Sequence, residues 1–95
     1  MSNWKLRWFV LKDLCLYYFS SDKPDAKAIG MIMMPSYHVS VVKNNKKKYI
    51  FQVAHPSTIA KPYLFQADTH EYMDVWVEAL THAAMAQKGT RNFWL

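Results

Sequence analysis

Glycine occurs only twice in this chain, at Gly30 and Gly89, and cysteine only once, at Cys15. Two separated glycines cannot supply a Gly-rich phosphate loop or a nucleophile elbow, which removes the commonest nucleotide-binding and hydrolase motifs. A lone cysteine has no internal disulfide partner, and a reducing, intracellular setting is expected. It reads as a core residue in mid-strand. No apolar run approaches the roughly 20 residues that a membrane-spanning helix needs, and no signal-peptide pattern is present. No segment is rich in proline or serine, so no linker, low-complexity tract or internal repeat divides the chain. His38, His55, His70 and His82 are dispersed, and no His/Cys/Asp/Glu set has metal-ligand spacing. These gaps argue against an enzyme, a metal site or a cofactor, and for a soluble cytoplasmic protein.

Aromatic residues fill the space that glycine leaves: four Trp, six Tyr and five Phe in 95 residues. Large side chains let a chain long enough for only one small domain build a core. Period-two alternation and strand-forming residues predict six strands, over Trp4–Leu11, Leu14–Ser20, Ala28–Met33, Tyr37–Val42, Lys48–Ala54 and Tyr63–Ala67. Lys12-Asp13 reads as a tight turn, SDKPDAK (21–27) and HPSTIAKP (55–62) as loops, and KNNKK (43–47) as a turn. The period then changes. Met73, Trp76, Val77, Leu80 and Ala84 recur at i, i+3, i+4, i+7 and i+11, one face of an amphipathic helix of roughly 18 residues. Asp68 with Glu71 fits a capping box, Thr69 is an alternative cap, and Gly89 is a stop signal. A mostly β chain with one C-terminal α-helix follows. Its sheet must bend over or close, with the helix covering an open end.

Charge is unevenly spread. Ten Lys/Arg face three Asp (Asp13, Asp22, Asp25) up to Ala67, whereas Asp68 to Gln87 holds four acids and no Lys or Arg. The cationic first part suggests an anionic partner, against the plain alternative of solubility.

Three stretches in order, WKLRWFVLKDLCLYYF, IGMIMMP and the YIFQVAHPSTIAKPYLFQADT segment leading to the Trp76 helix, resemble the pleckstrin homology (PH) domain family from Trp4 to about Ala84. The section KKYIFQVAHP…YLFQADTHEYMDVWVEAL is similar to the PEPP group and to connector-enhancer scaffolds. The resemblance implies a two-sheet barrel or sandwich capped by the helix, spanning residues 1–88 with a C-terminal tail over 89–95. The family has seven strands and this reading finds six. The family's first strand would lie before Met1, so weak, poorly selective lipid binding and an open edge strand are expected.

Lys5 and Arg7 alternate with Phe9 and Leu11 on one face of the first expected strand. Cations at a barrel mouth, with apolar residues below, describe a cup with a positive rim. The resemblance implies that this rim binds phosphoinositide headgroups: Lys5 and Arg7 by charge-assisted hydrogen bonds, Tyr17 by its hydroxyl, and Lys27 and Lys61 around the mouth. Lys43, Lys46, Lys47 and Lys48 form a second basic patch, either a solvated turn or a non-specific contact with anionic lipid. The implied function is a non-catalytic membrane-recruitment or adaptor module with peripheral membrane association. The alternative is a protein–protein interaction module in a signalling scaffold with little lipid binding. The open edge could also pair with a second copy or a partner strand. Phe93 and Trp94 are expected to pack back on the domain. Basic residues among aromatics raise RNA binding, but no helix separates the early strands and the glycines of an RNA-recognition motif are absent, so nucleic acid is not expected.

Overall fold

In the computed structural model, residues 4–43, 46–57 and 61–86 are described. The six strands and the helix follow the expected order: β1 (Trp8–Lys12), β2 (Cys15–Phe19), β3 (Ala28–Met33), β4 (His38–Val42), β5 (Ile50–Ala54), β6 (Tyr63–Gln66) and α1 (His70–Met85). They form two three-stranded antiparallel sheets, β1-β2-β3 and β4-β5-β6. Among the described residues no ladder joins the two, so they are separate sheets rather than a closed barrel. The chain divides into two compact units, Met1–Met34 and Pro35–Leu95.

The first unit is built on a hairpin. Its turn residues are Asp13 and Leu14, one later than the expected Lys12-Asp13, and both have positive φ (53° and 65°). Such a turn matches the twist of the flanking strands. Lys12 then faces Cys15, and the pairing runs without a break to Trp8 opposite Phe19. Here the expected first strand is corrected: it starts at Trp8, not Trp4. In this register Arg7, Leu6 and Lys5 would need Ser20, Ser21 and Asp22 as partners, where the chain already enters its loop, so the ladder runs out of partner. On the other side of β2, the pairing steps from Tyr18–Gly30 to Phe19–Ala28, leaving Ile29 as a bulged extra residue. Phe9, Leu11, Leu16, Tyr18, Gly30 and Ile32 share one face, with Leu16 and Ile32 buried. The Met34 N–H donates to the Leu14 carbonyl at 2.9 Å and ties the end of β3 to the hairpin turn.

The second unit packs α1 against β4 and β5. Ile50, Phe51 and Val53 of β5 are buried, and the Phe51 and Phe65 rings stack at 5.1 Å across the β5–β6 pair. The fifth strand begins at Ile50 rather than Lys48, with Tyr49 in the left-handed region (φ 64°) just before it. The helix buries Met73, Leu80 and Ala83, with Trp76, Val77 and Ala84 half-buried. That is the face its periodicity predicts, and the Ser36 N–H donates to the Ala84 carbonyl at 3.3 Å. Of the two cap candidates the helix uses Thr69, whose hydroxyl accepts the Tyr72 N–H at 3.1 Å. Thr69→Ala should therefore cost about 1 kcal/mol, and Thr69→Ser almost nothing, in urea unfolding. Gly89, Phe93 and Trp94 lie outside the described residues.

Candidate functional site

β1, β2 and β3 place several of the expected residues at one end of their sheet. The end is defined by the last pairs, Trp8–Phe19 and Phe19–Ala28. Lys5 and Arg7 lead into β1 there, and Lys27 immediately precedes β3. Lys5 and Lys27 are exposed and Arg7 is half-buried. Lys23, which the sequence reading passed over, lies exposed in the same β2–β3 loop with Asp22 and Asp25. The loop is tightened by an Ala26 N–H to Lys23 carbonyl bond of 3.0 Å. Four cations and two carboxylates thus gather at one end of a single sheet. Arg7 spends one N–H on the neighbouring Leu6 carbonyl, at 3.3 Å from Nη1. A guanidinium carries five donors, so most of its fork remains for an anion.

The two tyrosines of β2 point to different faces. Tyr17 pairs with Val10 and Met31. Tyr18 pairs with Phe9 and Gly30, on the face that Phe9 and Leu11 share. Its ring meets Phe9 at a centroid distance of 6.2 Å and lies over Gly30. Tyr18, not Tyr17, is thus the β2 hydroxyl on the Phe9 face. The signal was available in the sequence: a two-residue turn forces odd positions of β1 to share a face with even positions of β2.

The remaining candidates lie in the second unit. Lys43 directly follows β4, and Lys48 stands two residues before β5. Lys46 and Lys48 are exposed and Lys47 half-buried, and the Lys48 carbonyl accepts the Gln66 side-chain amide at 3.2 Å. These four lysines mark the sheet end where Val42 pairs with Ile50 and Ile50 with Gln66. Lys61 precedes β6 at the opposite end, beyond the Val53–Tyr63 pair, so the structure does not bring it to the lysine patch. Near that end the Tyr37 ring meets His55 edge-on at 5.1 Å, and the His55 Nδ1 accepts the Ser57 N–H at 3.1 Å. Among the described residues no cluster of metal-binding side chains exists, and no helix is long and apolar enough to cross a membrane.

Comparison with known proteins bears on this arrangement. Human pleckstrin homology domain-containing family A member 5 is 38% identical over 90 residues, covering 92% of this chain and 8% of that protein. The solution structure of its PH domain matches with a TM-score of 0.77 at 35% identity, over 99% of this chain and 73% of the other. Human connector enhancer of kinase suppressor of ras 1 is 40% identical over 78 residues, 82% of this chain and 10% of that protein. The C-terminal PH domain of pleckstrin, crystallised in complex with D-myo-Ins(1,2,3,4,5)P5, matches with a TM-score of 0.70 at 25% identity, over 86% of this chain and 82% of that one. The chain thus spans about a tenth or less of these full-length relatives. The family model for the PH domain matches residues 1–85, and with it the two antiparallel sheets and single C-terminal helix have their family: this chain belongs to the PH domains.

Proposed function

We propose that this domain recruits its parent protein to membranes by binding phosphoinositide headgroups at the Lys5–Arg7–Lys27 end of the β1-β2-β3 sheet. A PH domain is a non-catalytic module for phosphoinositide binding or protein interaction. The observation that carries the lipid reading is the convergence of Lys5, Arg7 and Lys27 at one sheet end, beside the face that holds the Tyr18 hydroxyl. A headgroup bearing several phosphates offers each cation its own acceptor, and Arg7 can engage two oxygens at once. The pleckstrin domain found with an inositol pentakisphosphate supports the same ligand chemistry. Lys5 and Lys27 are exposed, so salt screens them and the affinity is modest. Lys43, Lys46, Lys47 and Lys48 would add non-specific attraction to anionic lipid, about 1 kcal/mol per residue near the surface. Tyr17 on the other face of β2, and Lys61 in the second unit, remain separate candidates.

The test is an amide correlation NMR titration with a soluble inositol polyphosphate, paired with sedimentation of phosphoinositide-containing vesicles. Shifts should cluster at Lys5, Arg7, Tyr18 and Lys27. Hydrogen bonds to charged groups are worth about 1.5–3 kcal/mol each, so Lys5→Glu with Arg7→Glu should weaken binding by at least about a hundredfold. A spectrum that the ligand leaves still, or a double variant that binds as the parent does, rules the site out.

A second reading, protein recognition in a signalling scaffold, rests on the outer face of the same sheet. Val10, Met31 and Met33 are 47%, 46% and 42% exposed there. The likeness to a connector enhancer is consistent with it. Binding of a scaffold protein partner that survives the Lys5/Arg7 reversal but falls with Met31→Glu, with no vesicle binding by the parent chain, would favour this face.

A further inference from the structure

We infer that Ser20 is a phosphorylation switch for the cationic end of the β1-β2-β3 sheet: a phosphate ester on its hydroxyl is gripped by Arg7 and Lys27 and shuts out a headgroup. This rests on the function proposed above and adds its regulation. The strand register carries it. The last row of the sheet is Trp8–Phe19–Ala28, with β2 in the middle. One residue further out on the three chain segments stand Arg7, Ser20 and Lys27. A serine thus lies between two cations that are far from it in sequence. Paired Cα atoms are about 4.5–5.5 Å apart, and one more residue adds at most about 3.8 Å on each segment, so the Ser20 Cα lies within about 13 Å of those of Arg7 and Lys27. An extended cationic side chain and a phosphoserine close that span with a hydrogen bond of about 2.8 Å. The next row outward, Leu6, Ser21 and Ala26, holds no cation. The two serines also differ in access. Ser20 is exposed, whereas Ser21 is half-buried and its hydroxyl accepts the Lys23 N–H at 3.4 Å.

The modification is a phosphoryl transfer from a nucleoside triphosphate by a serine kinase. The bond from the Ser20 Oγ to phosphorus forms as the bond to the departing diphosphate breaks, and the hydroxyl proton leaves to the kinase's base. The ester brings a charge of about −1.5 to −2 at neutral pH and three strong acceptor oxygens. Arg7 commits a single N–H to the Leu6 carbonyl, and Lys27 is exposed, so both have donors for it. Asp22 and Asp25, in the same loop, offer it no partner. The cations that the ester engages are then lost to a headgroup, whose own phosphates the ester also repels.

The test installs phosphoserine at position 20, and separately at position 21, by genetic-code expansion. A dispersed amide spectrum checks that each chain is folded. Calorimetric titration with inositol hexakisphosphate should show binding weakened at least about tenfold by the phosphate at position 20, and no more than about threefold by that at position 21. Phosphorus NMR reads the grip without any ligand. Two neighbouring cations favour the dianion, so the phosphate at position 20 should titrate below the ordinary phosphoserine range. It should return to that range in Arg7→Gln with Lys27→Gln. Undiminished binding by the position-20 phosphate, equal weakening by the two, or a phosphorus titration that ignores the double substitution overturns the proposal. An unmodified chain that does not bind the polyphosphate overturns the proposed lipid function instead. The phosphorus titration then decides by itself whether Arg7 and Lys27 hold the ester.

Discussion

Leu80→Ala should lower the stability of the domain by about 3 kcal/mol, the middle of the range for a fully buried leucine truncated in a core. Leu80 has no exposed surface and lies at the centre of the α1 face, between buried Met73 and Ala83. The helix can move little to fill the gap, because both ends are anchored. Thr69 caps its start, and the Ala84 carbonyl near its end is held by the Ser36 N–H. A domain of this size has on the order of 5–10 kcal/mol to lose. The variant should thus unfold at a much lower urea concentration with an unchanged slope. Met85, 75% exposed near the end of the same helix, provides the control. Met85→Ala should stay within about 0.5 kcal/mol of the parent. Equal effects at the two positions would mean that the helix does not pack by the Leu80 face.

The helix was the most legible part of the sequence because its signal is redundant: five apolar positions at helical spacing and a cap all agree. The strands were legible as elements, since each carries its own alternation, but their ends were not. Where a strand stops depends on whether a partner is present, and Lys5 and Arg7 look like strand residues until the register leaves them facing the Ser20–Asp22 loop. The hairpin turn was placed one residue early because Leu14 does not advertise a positive φ. A left-handed leucine is sterically costly, and sequence rules expect Gly, Asn or Asp there. The cation set was legible through charge counting. Its division between two units was not, because Lys61 and Lys27 owe their positions to strand pairing and not to sequence distance. Tyr17 and Tyr18 were separable by parity alone: Tyr17, which the family likeness suggests, shares a face with Val10, and Tyr18 with Phe9.

Gly30→Ala should destabilise the domain by about 1–3 kcal/mol, the range for overpacking a site with no free volume. The usual argument for a glycine does not apply. The φ of Gly30 lies outside the left-handed region, and glycine within a strand is ordinarily a weakness that a side chain would repair. What forbids a side chain is Tyr18. Its ring and hydroxyl occupy the space where a Cβ at Gly30 would be, directly across the β2–β3 pair. A methyl group there must push the ring away, and the ring takes with it the contact to Phe9. The sign of the effect should therefore depend on Tyr18. In a Tyr18→Ala background the obstacle is gone, and Gly30→Ala should become neutral or stabilising by up to about 1 kcal/mol, the backbone-entropy gain of alanine over glycine. A double-mutant cycle in urea reads this coupling directly, since residues in contact depart from additivity by about 0.5–3 kcal/mol. Additive effects would place the need for glycine in the backbone and not beneath the Tyr18 ring. The cycle also bears on the proposed site, because the Tyr18 hydroxyl lies over Gly30 and moves with its ring. Gly30→Ala at temperatures where it remains folded should therefore weaken inositol polyphosphate binding without touching a charge.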